Sequence, residues 1–327
     1  MTSIIPEQDR LGPLATPAPA AASPAYGDPV ALRAVVLAAV KDALEPARSA
    51  RSRAGARPAA AVHDVRKAIR RTRALVDLLS HTLPRRERKD LLKALVGARR
   101  SLGPARDLAV ASDTLVDVAR APEIAPAAAA IVAAARADAP SLDSVADDVN
   151  RAIDVALAQG EALAAALPDE VDARDLVRSL AGTYRRARRA RKKAKRSDRA
   201  VHRWRRRTKE LSYQLSVFAD VGAAEELREG LSRLDDELGA VVDRLMLKDF
   251  VGLYGHAAAA DAVGTLLAQV DDELIAKRDS ACKGSKDLFA TRPRKLRKRL
   301  VKALAPKSEE HNVPEEIDVA KGSGATL

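Results

Sequence analysis

The sequence predicts an all-α protein made of two related helical halves, and three observations point there. Ala, Leu, Val, Arg, Asp and Glu dominate and aromatic residues make up only 2%, a composition that favours helices and lacks the β-branched and aromatic alternation of strands. Apolar residues recur at helical spacing in segments parted by Pro or Gly, with no hairpin signal between them. A phrase also occurs twice, AVHDVRKAIRRTR at 61–73 and AVHRWRRRTKELS at 200–212. Both copies open Ala-Val-His, place Arg three residues after the His (Arg66, Arg205) and set a further base seven after it (Arg70, Lys209). Repetition at the length of a small domain indicates a duplicated unit.

The elements follow in order. Residues 1–27 are a Pro/Ala-rich tail that reads as disordered. Asp28-Pro29 supplies an N-cap and a first-turn proline for a helix running to about Glu45. A basic loop over 46–58 leads to a helix over 59–82, stopped by Pro84. Helices over 86–102, ending at Gly103-Pro104, then Ala105 to about Ala119, 123–138 and 141–166 complete the first half, 28–168. The second half, 169–305, carries helices over 172–195, 198–219, 222–247, 249–279 and 285–305. A polar tail, 306–327, reads as disordered.

Charge narrows the function. Lys and Arg number 57 against 45 acids, a formal +12, which suits nucleic acid, an anionic membrane surface or a phosphate polymer. Cys282 is the only cysteine, so a disulfide framework and a cysteine-rich metal site are excluded. No run approaches the roughly 18–20 uncharged apolar residues of a membrane span, and the start lacks a signal-peptide pattern. A cytoplasmic location is expected.

The distribution of charge says more than its sum. On a helix at about 100° per residue, Val62, Val65, Ile69, Val76 and Leu79 share one face, and His63, Arg66, Arg70 and Arg73 lie about a third of a turn away. In the second copy Val201, Trp204, Leu211, Leu215 and Phe218 form the apolar side, and His202, Arg205 and Lys209 the basic one. Arg185, Arg189, Lys192 and Arg196 align on the preceding helix, and RPRKLRKRLVK at 292–302 repeats the habit. Like charges at i,i+4 repel by a few tenths of a kcal/mol each, and a bound polyanion offsets that in several helices at once. Metal binding at the two His is disfavoured, because arginines surround them and Asp64 points off the basic face. No P-loop, HExxH or paired acids within the basic stripes suggest phosphoryl chemistry.

At these residues the chain resembles the CHAD family, a conserved-histidine α-helical domain. The family's V-H-x-x-R-x-x-x-R-R-x-R is matched by Val62, His63, Arg66, Arg70, Arg71 and Arg73, and its L-G-x-x-R-D by Leu102, Gly103, Arg106 and Asp107. In the second half H-x-x-R-x-x-x-K is matched by His202, Arg205 and Lys209, and the later L-G element by Leu238, Gly239 and Asp243. LFATRPRKLRKRL at 288–300 is similar to the family's ending, so the likeness spans about 29–305. Thr72 departs from an apolar position, Ser212 replaces an Arg, and Val242 stands where the first half has Arg106, so the second wall is expected to hold fewer phosphates.

The resemblance implies two pseudo-symmetric four-helix bundles forming one unit with a central basic cleft that binds inorganic polyphosphate. The residues expected to bind it are His63, Arg66, Arg70, Arg73, Arg106, Arg185, Arg189, Lys192, His202, Arg205, Arg206 and Lys209. No cofactor, metal or catalytic residue is expected, so the protein is read as a binder at polyphosphate granules and not an enzyme. The alternative is a helical protein that binds nucleic acid nonspecifically. Against it, sequence readout needs a recognition element and single strands need stacking aromatics, which are scarce here.

Overall fold

The computed structural model describes residues 26–304, and the two expected tails lie almost wholly outside the described residues. Among the described residues the fold is all-α, with eleven α-helices and no strand. They are α1 (Pro29–Arg51), α2 (Pro58–Leu78), α3 (Arg85–Ser101), α4 (Gly103–Val118), α5 (Ala125–Ala137), α6 (Leu142–Ala165), α7 (Ala173–Ala194), α8 (Asp198–Leu215), α9 (Gly222–Tyr254), α10 (Ala260–Gly284) and α11 (Pro293–Leu304).

Local chemistry fixes several ends. The Asp28 carboxylate accepts from the Val30 and Ala31 amides at 2.9 and 3.3 Å, the N-cap the sequence predicts. Ser141 and Asp172 cap α6 and α7 in the same way. Tyr26, placed by sequence in the tail, is packed: its ring centroid lies 6.1 Å from that of Phe218.

Several boundaries differ from expectation, among them the start of the last helix, expected at 285 but placed at Pro293 after turns over 285–290. The loop predicted at 46–58 begins later, because α1 runs through Pro46 to Arg51. An interior proline removes one backbone bond and costs roughly 3 kcal/mol. Ala47 and Ala50 beyond it are fully buried, and that packing carries the helix on. Similarly, the break expected near 248 falls at Gly255. Phe250 and Val251 are buried, so the apolar stripe of α9 continues past the predicted stop.

The buried residues form two cores, and these do not divide at the midpoint of the chain. The larger draws on α1, α2, α3 and α6 together with α7, α8, α9, the later part of α10 and α11. The smaller joins α4 and α5 to the end of α9 and to α10. Each core therefore contains helices from both sequence halves. Within the larger, Gly160 of α6 lies directly against α1, since a Cβ there would fall 2.2 Å from Leu44 Cδ1. At the centre α2 packs on α8, and Gln214 Nε2 donates to Ala74 O at 3.1 Å across the junction. In the first half Leu102 separates α3 from α4, whereas α9 runs unbroken for 33 residues.

Candidate functional site

The packing of α2 on α8 brings the two repeated motifs together. Val62, Val65, Ile69 and Val76 on α2 are buried, as are Val201, Trp204, Leu211 and Leu215 on α8. With those faces fixed, the arginines a third of a turn away project into the angle between the helices, and α3 and α4 close it from one end.

The resulting cluster is dense in positive charge. Burial pushes the Arg66 guanidinium down to about 10, helped by Arg106, Arg70 and Arg99. Arg70 is lowered by burial and by Arg205 and Arg106, against the opposing pull of Tyr213 and Asp235. Arg99 is lowered by burial, then by Arg73, Arg70 and Arg206. Burial, Arg207 and Arg73 lower Arg206. One mutually repelling set thus unites α2, α3, α4 and α8. His202 belongs to its edge: burial and then Arg205 lower its pKa, which favours the neutral ring at pH 7. The His63 side chain is half-buried on α2.

Hydrogen bonding shows the same strain. The Nε–H groups of Arg70, Arg73, Arg99 and Arg205 are buried with no acceptor among the described residues. Buried donors are nearly always paired, and leaving one unmade costs about 1–3 kcal/mol. Four such donors within a like-charged cluster define a site complementary to an anion with several acceptor oxygens. Guanidinium forks suit phosphate oxygens because they present donors in a fixed plane.

Other predicted residues have other work. Lys209 is bound to Asp235 at 2.8 Å in a largely buried pair, so its charge is already met. Arg66 is partly structural: its Nη1 donates to Arg99 O and Leu102 O, both at 3.2 Å, capping the end of α3. Asp64 pairs with Arg53 at 2.8 Å, away from the cluster. Arg185, Arg189 and Lys192, expected with the others in one central basic cleft, are exposed on the side of α7 opposite Ala187 and Ala190, outside the α2–α8 cluster. They share a helix line, but the core side of α7 fixes that line outward.

The second wall is the poorer one in local detail. Ser212 and Val242, where the first half carries Arg73 and Arg106, are both buried. At Gly239 the Arg205 guanidinium lies close against α9, its Nη2 3.4 Å from where a Cβ would stand, a distance that a side chain there would still allow. Arg99 is the residue the sequence reading missed. It sits three positions before the Leu102-Gly103 element, at the end of α3, and that proximity was the available signal.

The aromatic residues are committed elsewhere. Trp204 is fully buried, Tyr184 Oη donates to Leu288 O and Thr291 O at 3.2 and 3.0 Å, and Tyr213 lies under the Arg71 guanidinium, 5.8 Å from its ring centroid. No group of three or more His, Cys, Asp or Glu side chains converges among the described residues. Nor is any helix among them long and apolar enough to cross a membrane.

Fold and site together define an all-α protein built around an arginine cluster held between two helices that carry the same His-x-x-Arg motif. The chain belongs to the CHAD domain family, whose model matches residues 36–252. That match runs from within α1 to the last turn of α9, so α10, α11 and the 288–300 ending lie beyond it. Polyphosphate binding is linked to this family in general. No curated protein matches the chain.

Proposed function

We propose that this chain binds inorganic polyphosphate in the α2–α3–α4–α8 cluster and does so without turning it over. The observation that carries the reading is the set of four buried, unpartnered arginine Nε donors on Arg70, Arg73, Arg99 and Arg205. A linear polymer with charge and acceptor oxygens on every residue meets several of these donors at once, which single anions cannot do. Two carboxylates beside the cluster already pair with bases, Asp235 through Oδ2 with Lys209 and Asp107 with Arg106. That speaks against a carboxylate-held Mg²⁺ mechanism for phosphoryl transfer.

Nonspecific nucleic-acid binding is the second reading, favoured by net charge alone. The burial of Trp204, Tyr184 and Tyr213 counts against it, since base stacking needs exposed rings. Competition between long-chain polyphosphate and duplex DNA, at equal phosphate concentration and across a salt series, separates the two. Polyphosphate should win at every salt concentration; a preference for DNA overturns the proposal. Phosphate release on incubation with Mg²⁺ would overturn the non-enzymatic part. In cells, a fluorescent fusion should gather on polyphosphate granules, and Arg70→Gln with Arg73→Gln and Arg99→Gln should disperse it.

A further inference from the structure

Resting on the reading of the cluster as a polyphosphate site, we propose that the outer face of α7 is a second contact surface for the same polymer, reached from the cluster across α8, so that only long chains engage both. The orientation of α7 is fixed by what it buries. Leu180, Tyr184, Ala187, Ala190 and Ala194 face the core, and Tyr184 is tied to the segment before α11 by two hydrogen bonds. Arg185, Arg189 and Lys192 are therefore held outward, Arg196 follows in the turn just past the helix end, and all four are exposed.

The flanking cations of the same helix show the contrast. Arg186 bonds Glu210, Arg188 Nε donates to Phe289 O at 2.8 Å, and Arg191 Nε donates to Ser285 Oγ at 2.8 Å. The side chains of the outward four make no hydrogen bond or ion pair to any described residue. On the helix, Arg185, Arg189 and Lys192 form an unneutralised line extending about 10 Å along the axis, at 1.5 Å per residue, with Arg196 in the turn beyond it. Their mutual repulsion at i,i+4 destabilises the free helix and falls when a polyanion lies along it.

The link to the cluster is also built. Arg206 is acted on by Arg73 from the cluster and by Arg207 and Arg203 on its own helix. Arg207 and Arg186 in turn share the Glu210 carboxylate, which joins α8 to α7. Arg73, Arg206, Arg207 and Arg186 thus mark a path from α2 over α8 to α7 in which the cations outnumber the Glu210 and Asp77 carboxylates lying among them, while α7 itself stands roughly 8–10 Å from the α8 axis. Three linked phosphates seated among the cluster arginines cannot reach that far, whereas a long chain can.

The test uses the full chain, tripolyphosphate and long-chain polyphosphate as probes, and a variant with Arg185→Gln, Arg189→Gln, Lys192→Gln and Arg196→Gln. All four positions are exposed, and a thermal melt checks that the fold is retained. For long chains the affinity at low salt should fall at least tenfold, and the slope of log K against log salt should shrink by about three, the release expected for four lost phosphate contacts. Tripolyphosphate affinity should stay within twofold, and replacing the three arginines by Lys instead should restore long-chain binding. Unchanged long-chain affinity and slope, or an equal loss for both probes, overturns the second surface. So does loss of binding to anionic vesicles or DNA with long-chain polyphosphate unaffected. Failure of the underlying reading looks different: Arg70→Gln with Arg99→Gln would then leave both probes bound.

Discussion

Replacing Arg70 by Met should stabilise the ligand-free protein while weakening its hold on polyphosphate. The Arg66 guanidinium, in the same cluster, is pushed well below its ordinary value, to about 10, which at about 1.4 kcal/mol per tenfold corresponds to roughly 3 kcal/mol for holding that charge in the fold. Arg70 is lowered by the same causes, burial first, and its Nε has no partner. Unlike Arg66, it caps no helix, so removing it forfeits no such bond. Methionine fills the space of the stem, and exchanging a poorly compensated buried charge for an apolar side chain commonly gains about 1–4 kcal/mol. At about 2–4 °C per kcal/mol for a protein of this kind of size, Tm should rise by several degrees. Differential scanning calorimetry at low salt, with and without long-chain polyphosphate, reads both effects. The wild type should gain more from the ligand than Arg70→Met, and the variant's Kd should rise about tenfold or more. A fall in Tm like that of a core truncation, or an unchanged Kd, would refute the reasoning.

Further outcomes follow from the same geometry. Because Arg66 releases its proton at a lower pH in the fold than in the unfolded chain, its penalty is constant below about pH 10, and stability contributed at this position should rise as pH climbs above about 10; urea denaturation of wild type against Arg66→Gln through and above about pH 10 measures it. Asp235→Asn should cost about 3 kcal/mol, since it strands the buried Lys209, and should tighten phosphate binding by removing a competing anion; chemical denaturation and titration calorimetry check the two parts. Gly160→Ala should destabilise by about 1–3 kcal/mol by forcing Leu44 aside, seen as a lower urea midpoint with the m-value unchanged. With its pKa lowered, His202 should be neutral at pH 8, so His202→Asn should leave polyphosphate affinity there within about twofold, as read by fluorescence anisotropy.

The helices and their apolar faces were legible in the sequence because both depend on local period and breakers. Pro46 was misread as a stop because its cost is visible in sequence and the burial of Ala47 and Ala50 is not. For the site, the motif positions Arg66, Arg70, Arg73, Arg106 and Arg205 do converge, since their helix faces are set by the neighbouring core residues. Lys209 was unreadable as an ion pair because Asp235 comes from another helix. Arg185, Arg189 and Lys192 were correctly seen as one line, but a line carries no information about which side of the neighbouring helix it faces. Arg99 escaped for the converse reason, belonging to no stripe and entering only through the junction of α3 with α4.

The larger core, shared by helices from both ends of the chain, has a mechanical consequence. Its two central members, α2 and α8, are the struts that carry the arginines, and interiors of this kind have low compressibility. The angle between them cannot hinge shut on a ligand, so the polymer must do the conforming and bears the entropy loss of a fixed path. Capture should then be a single bimolecular step, fast at low ionic strength and with no slow isomerisation following encounter. For the same reason residues 28–168 and 169–305 made as separate fragments should lack a stable fold alone and acquire one only on mixing.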